Sequence, residues 1–323
     1  MIRGMGSSLP ERVMTNADFE QTLDTSDEWI VTRTGIRERR VAAEGEDTLT
    51  FALEASKRAL ADAKLEPKDI GLIVVATSTP VVPLPATACF LQDALGCDPI
   101  PAFDVAAACS GFVYAFVTGA SMLQAGGYKN VLVVGAEAMS AVTDFEDRGT
   151  CILLGDGAGA TILSAADNDV SGVYDQFLAA DGSGAQMIWV PGGGSREPAS
   201  DKTINERLHY LKMKGREVYR FAVTKMQEVI AGATERAGIA PSDLALVVPH
   251  QSNLRIIESA AEKVGIPMDR VAVNIDRCGN TSAASIPLAL DEARQAGRVK
   301  SGDWVLLAGF GAGLTWGSVL LRL

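Results

Sequence analysis

The chain repeats itself. Ala63–Ser78 (AKLEPKDIGLIVVATS) aligns without gaps on Ala237–Ser252 (AGIAPSDLALVVPHQS), at an offset of 174 residues. Ala63/Ala237, Pro67/Pro241, Asp69/Asp243, Leu72/Leu246, Val74/Val248 and Ser78/Ser252 are identical, and Ile70/Leu244 is conservative. The same offset pairs Val131–Gly135 (VLVVG) with Val305–Gly309 (VLLAG). Two separate segments in one register indicate an internal duplication. Asp167, Asn168 and Asp169 mark a turn where the second copy begins, giving halves 1–170 and 171–323. Such a chain is expected to pack its two halves across a pseudo-twofold axis, and a site at their junction draws residues from both.

Each copy has the same local grammar. Thr48 to Ala63 and Arg216 to Ala237 carry apolar residues at helical spacing. A Pro-Xaa-Asp turn follows, its Asp placed to cap or turn the chain. Next comes a short run rich in Val and Ile, Ile70–Ala76 or Leu244–Pro249, which reads as a buried strand. Helices are expected again at about Ser110–Ala125 and Ser282–Gln295, each followed by another strand. Strands alternating with helices twice over give an α/β protein with mixed sheets covered by helices. The Gly-, Pro- and Ser-rich stretch Asp181–Asp201 reads as a surface excursion.

The chemistry open to the chain is bounded by its composition. Lys plus Arg is 29 against 40 Asp plus Glu, a net charge of −11, which opposes nucleic acid and anionic membrane. Cys89, Cys97, Cys109, Cys151 and Cys278 are odd in number and form no CxxC pair. That speaks against a disulfide framework or structural zinc and fits a reducing, cytoplasmic setting. Met1 to Pro10 has no apolar run of the signal-peptide kind. The most apolar window, Trp304–Leu321, holds four glycines and reads as strand, tight turn, strand rather than a membrane helix.

Three residues stand out. Cys109 sits in FDVAAACSGF (Phe103–Phe112), where an apolar run meets small residues and a helical pattern starts. A thiol there faces free backbone N–H groups and a helix dipole, both of which favour thiolate; a buried small residue is the plainer alternative. His209 lies in a charged segment and reads as solvated. His250 directly follows the strand Leu244–Pro249, where α/β sheets open onto crevices, although a structural histidine also fits. Asn280 lies in RCGNTSAAS (Arg277–Ser285), where helix capping alone would explain an Asn. The repeat links them: subtracting the offset places Asn280 on Ala106, beside Cys109, and His250 on Ala76 at the end of the matching strand. GDGAGA (Gly155–Ala160) is followed by strand-like Thr161–Leu163, so a dinucleotide site is rejected. FGAGLTW (Phe310–Trp316) is better suited to bringing backbone N–H groups to a substrate oxygen. No P-loop and no metal-ligand motif is present.

These segments, with TSDEWIVTRTGIRER (Thr25–Arg39), DRGT (Asp147–Thr150), VPHQSNLRI (Val248–Ile256) and GNTSAAS (Gly279–Ser285), resemble the β-ketoacyl-acyl carrier protein synthase III family over the whole chain. The resemblance implies a thiolase fold, a duplicated αβαβα architecture with mixed five-stranded sheets. It implies a decarboxylative Claisen condensation in two half-reactions. Cys109 takes an acyl group from acyl-CoA, most naturally acetyl-CoA. Malonyl-acyl carrier protein then loses carbon dioxide, and its enolate attacks the acyl-enzyme.

The family roles fall on this sequence as follows. His250 Nε2 and the Asn280 amide donate to the enolate oxygen, and the backbone N–H groups of Cys109 and Ala312 form the oxyanion hole for the acyl carbonyl. Ala312 stands where relatives often have Gly. Trp29 offers a stacking face for adenine with Arg148 on its other side, Arg33 meets CoA phosphates, and Thr25 and Asn253 bond the CoA arm. Carrier protein is acidic, so Gln251, Ser252, Asn253, Leu254 and Arg255, with Arg220, Lys214 and Lys263, are the expected docking patch; Glu262 replaces a base found in some relatives. Phe310 belongs to the acyl pocket, and Leu84 is expected to close it from a partner subunit, with room for primers longer than acetyl. A homodimer through an apolar edge around Val81–Leu91 is implied, with no cofactor and no metal. A specialised condensing enzyme with a longer, branched or aromatic primer is the runner-up. A non-catalytic acyl-CoA or carrier-protein binding module is opposed by the intact Cys109, His250 and Asn280.

Overall fold

The Val- and Ile-rich runs become the buried middle strands of two sheets. The computed structural model describes residues 1–166 and 171–323. The first half contributes β1 (Ile2–Ser8), α1 (Thr48–Ala63), β2 (Leu72–Ala76), α2 (Thr87–Leu95), β3 (Ala102–Val105), α3 (Gly111–Gln124), β4 (Asn130–Ala138) and β5 (Asp156–Ser164). The second contributes β6 (Gly172–Ala180), α4 (Gly215–Ala237), β7 (Leu244–Pro249), α5 (Leu254–Val264), α6 (Ser285–Gln295), β8 (Trp304–Gly311) and β9 (Thr315–Arg322). The first sheet runs β1-β5-β4-β2-β3 and the second β7-β8-β9-β6. Both are mixed: β2 is parallel to β3 and β4, and β7 to β8, while the remaining pairs are antiparallel.

Alternation along the buried strands sorts their side chains into layers. Leu72, Val74, Val131 and Val133 of the first sheet face α3 and α6, and so do Leu246, Val248, Val305 and Leu307 of the second. The two helices therefore form the middle layer. Ile73, Val75, Leu132 and Val134 face α1 and α2, and Val247, Leu306 and Ala308 face α4 and α5. The result is the five-layer αβαβα arrangement.

The repeat persists down to single hydrogen bonds. In the turns Pro67–Asp69 and Pro241–Asp243 the Asp carboxylate accepts from the N–H of Glu66 at 2.9 Å and of Ala240 at 2.8 Å. Helices α1 and α4 end at equivalent residues, Ala63 and Ala237, each followed by a left-handed residue.

Two expectations need correction. The second sheet has four strands among the described residues, not five. Its missing edge is reduced to one parallel bridge between Val247 and Val271. The next backbone groups are taken by a side chain instead: Gln251 donates to Ala272 O at 3.0 Å and accepts from Asn274 N at 3.1 Å. His209 is half-buried rather than solvated, with Nε2 2.9 Å from Thr203 Oγ1. The turn expected at Asp167–Asp169 lies outside the described residues. Trp304–Leu321 falls in the hairpin β8–β9, and no helix among the described residues is long and apolar enough to cross a membrane.

Candidate active site

The turns carrying Cys109 and Asn280 are copies of one another. Ala108–Ser110 and Ser282–Ala284 are single 3₁₀ turns separated by the repeat offset, and they lead straight into α3 and α6. Their first residues, Ala108 and Ser282, both adopt φ of 46°. A left-handed backbone costs a residue with a Cβ about 1–2 kcal/mol. Holding that strain at two matching turns marks them as positions fixed by their surroundings. The turns abut, since a Cβ added to Gly111 would lie 3.5 Å from that of Ala283.

Cys109 is half-buried at the start of α3. The end of β8 crosses directly over it: a Cβ on Gly311 would lie 2.7 Å from Cys109 N and 3.2 Å from its Cα. Only glycine permits that approach, which sets Ala312 beside the thiol turn. Thr315 locks the crossing, with Oγ1 donating toward Ala107 O (3.2 Å) and Ala312 O (3.0 Å) and meeting Ser110 Oγ at 2.8 Å. The thiolate expected at a helix start is not the resting state. Burial pushes the Cys109 thiol up to about 12, and the Glu137 carboxylate adds to the rise, while the facing Ser282 hydroxyl opposes it.

His250 follows β7 and is buried. Its backbone N–H is anchored on Ala308 O at 2.8 Å, its Nδ1 lies 2.7 Å from Ser285 Oγ, and its ring stands edge-on to Phe310 at 5.5 Å. Burial pushes the imidazole down to about 3, so it is neutral at physiological pH. Asn280 Oδ1 accepts from Ser282 N at 2.9 Å, which leaves the Asn280 NH₂ as the end available to a ligand. The backbone of Asn280 pairs with Leu153 O (2.8 Å) and Gly155 N (3.0 Å). Gly155 cannot carry a side chain there, because a Cβ would lie 2.2 Å from Cys278 O. The GDGAGA run is thus a platform for Asn280. Its Asp156 carboxylate is consumed by Ala42 N, Ser140 N and Ser140 Oγ.

Cys109, His250 and Asn280 line one cavity of about 120 Å³, together with Ser252, Asn253, Gly311 and the apolar Leu153, Val218 and Phe310. Ile188, Leu211 and Met213 line it as well, so the excursion after β6 and the segment following it reach over the site. Among the described residues no cluster of three or more His, Cys, Asp or Glu is placed to hold a metal.

Of the expected CoA residues Asn253 lines this cavity, while Trp29, Arg33 and Arg148 gather outside it. The guanidinium groups of Arg148 and Arg33 lie 5.0 and 5.6 Å from the Trp29 ring centroid. Arg148 is further tied to Asp24 by its carbonyl and carboxylate. Thr25 Oγ1 and Ser252 Oγ are buried without a partner, two hydroxyls free for a ligand. Asn253 is spent locally: it accepts from Arg255 N and donates to Arg33 O, both at 2.9 Å. Arg255, Arg220, Lys214 and Lys263 are exposed. Gln251 is fully buried with its amide engaged by backbone, so it offers no docking surface, which corrects its assignment. Leu254 is half-buried against Gly35. Leu84 is 85% exposed and does not reach the cavity of its own chain.

Glu137 and Ser285 were not singled out from sequence. The signal for Glu137 is an acid inside the otherwise apolar run of β4, and it is fully buried beside the site.

Two family models match: "3-Oxoacyl-[acyl-carrier-protein (ACP)] synthase III" over residues 103–182 and its C-terminal counterpart over 234–323. A curated relative named Beta-ketoacyl-[acyl-carrier-protein] synthase III, from Caldanaerobacter subterraneus subsp. tengcongensis, is 47% identical over 321 residues, covering 99% of this chain and 97% of its own. The solved 3-oxoacyl-[acyl-carrier-protein] synthase III of Aquifex aeolicus VF5 is 47% identical with a TM-score of 0.92, covering 100% of this chain and 99% of that one. The synthase III of Thermus thermophilus is also 47% identical, with a TM-score of 0.93 over 100% and 98% of the two chains.

Proposed function

The chain belongs to the 3-oxoacyl-[acyl-carrier-protein] synthase III family, condensing acyltransferases of the thiolase fold, and on that premise we propose that it joins an acyl-CoA primer to malonyl-acyl carrier protein. The products are 3-oxoacyl-acyl carrier protein, CoA and carbon dioxide, and the preferred primer is acetyl-CoA. The observation that carries this reading is the convergence of Cys109, His250 and Asn280 on one cavity from two copies of the same turn-and-strand unit.

In the first half-reaction Cys109 attacks the thioester carbon, the oxyanion is met by the N–H groups of Cys109 and Ala312, and CoA leaves. The thiol must lose its proton for this, and the proton leaves on the departing CoA sulfur as the thioester C–S bond breaks, so that His250 in the same cavity is neutral again for the second step. In the second, decarboxylation of the malonyl group leaves an enolate whose oxygen is met by the Asn280 NH₂ and His250. Asn280 donates without titrating, and its other amide end is already fixed by Ser282. The enolate carbon then attacks the acyl-cysteine and the Cys109 sulfur departs.

The adenine of CoA is placed on Trp29, displacing Arg148 to the base's far face. Thr25, Arg33, Ser252 and Asn253 line the arm's path. Arg255, with Arg220, Lys214 and Lys263, meets the acidic carrier protein. The halves divide at about 170/171. Two chains pair along the edge near Val81–Leu91, where exposed Leu84 would reach the neighbour's acyl pocket, and the enzyme works in the cytoplasm without a cofactor. The test is mass spectrometry of Cys109 after exposure to acetyl-CoA, followed by addition of malonyl-acyl carrier protein. An acetyl adduct that disappears as acetoacetyl-carrier protein forms supports the reading. Product only with longer or aromatic primers supports a specialised condensing enzyme instead.

A further inference from the structure

Glu137, at the end of β4, is fully buried, and its carboxylate joins the two halves of the molecule. From the first half it accepts the N–H groups of Ser78 (3.0 Å) and Thr79 (3.1 Å) and the hydroxyls of Thr79 (2.7 Å) and Thr77 (3.3 Å). From the second it accepts the hydroxyl of Ser282 (2.9 Å) and the N–H of Ala283 (3.3 Å). Three of these donors are backbone amides, which can only donate and so favour the ionised form, whereas burial pushes the carboxyl up from its ordinary value. Thr79 Oγ1 in turn accepts from Ala138 N at 2.9 Å.

Two consequences meet at this group. Ser282 is held by Glu137 through its side chain and holds Asn280 through its backbone N–H, so the Asn280 amide is aimed through the carboxylate. The same carboxylate bears on the Cys109 thiol, which also faces the Ser282 hydroxyl. His250, which lines the same cavity, is neutral and contributes no opposing charge.

We propose that Glu137 is a positioning residue for condensation: its buried carboxylate, spanning the two halves, fixes the Ser282 turn that aims the Asn280 amide. The proposal rests on the condensing reading above and deepens it.

Glu137→Gln keeps the shape, removes the charge and puts an NH₂ against donor-only amides. Conversion of preformed acetyl-enzyme to product, on adding malonyl-acyl carrier protein, is expected to fall at least about tenfold. Acetylation of Cys109 by acetyl-CoA, read by intact mass, stays near wild type. Glu137→Asp keeps the charge and shortens the reach, so condensation falls while acetylation again holds; it serves if the Gln variant does not fold. A purely structural glutamate would lower both steps together in either variant. That outcome, or two unchanged steps in the Gln variant, overturns the proposal. A failure of the condensing reading itself would show instead as a wild-type enzyme that makes no product.

Discussion

In the proposed mechanism the second half-reaction turns on Asn280. Asn280→Asp keeps the shape but replaces a donor with a negative charge facing the enolate. Condensation of acetyl-enzyme with malonyl-acyl carrier protein is expected to fall about 10²–10³-fold, the usual loss for an oxyanion donor. Acetylation of Cys109, read by intact mass, should remain. Gly311→Ala tests the other side of the site, since its Cβ would strike Cys109 N; acyl-enzyme formation should fall with little change in the folded secondary structure, read by circular dichroism. His250 gives a pH signature. In the unfolded chain it takes up its proton near pH 6.5, and in the folded chain near 3. Between those values the unfolded state binds more protons, so stability drops as the pH falls, with a slope of up to about 1.4 kcal/mol per pH unit. Urea melts of wild type and His250→Gln should therefore converge as the pH is lowered from about 6.5 toward 4; parallel curves would contradict the buried neutral imidazole. The grouping of Cys109, His250 and Asn280 in one cavity was legible in the sequence because the repeat placed them at one junction. Glu137 and Ser285 were not, because a lone acid or serine carries no period and its role exists only once the two turns meet.

The elements were legible where burial is one-sided or complete. The bounds of α1 and β7 follow directly from apolar spacing, and the two Pro-Xaa-Asp turns from local hydrogen-bonding chemistry. The reduced edge of the second sheet was not, since it depends on a glutamine reaching backbone groups more than twenty residues away. The segment after β6 behaves in the same way. It is held over the cavity by Asp144, whose carboxylate is gripped by Arg207 and Lys212. That grip holds the Asp144 carboxyl down to about 2, against 3.8 when free. The anchor is complete above pH 3.8 and is lost as the pH falls through 2. Asp144→Asn at neutral pH should loosen the same segment: amide exchange across residues 207–213 rises, measured by mass spectrometry, while exchange in β4 is unchanged. In the central layer, Leu72→Ala leaves a cavity between β2 and α3 and is expected to cost about 2–5 kcal/mol in urea unfolding.

At the scale of the whole molecule, duplication explains why the site lies where it does. A site between two copies inherits matching strand ends and matching turns, and each half can then change its residues independently. In the proposed mechanism the first copy supplies the nucleophile turn, and the second the oxyanion turn. The net charge of −11 opposes an acidic partner, so docking must rely on local exposed cations. Arg255→Glu is expected to raise KM for malonyl-acyl carrier protein and leave KM for acetyl-CoA unchanged, with the difference shrinking at high salt. The account stands most directly on one measurement: the intact mass of the protein after acetyl-CoA, and the mass of the carrier protein after malonyl-acyl carrier protein is added. Acetylation confined to Cys109, absent in Cys109→Ala, followed by acetoacetyl-carrier protein, is the predicted result. Product formed by Cys109→Ala, or acyl-enzyme that never passes its group to a malonyl carrier, would contradict it.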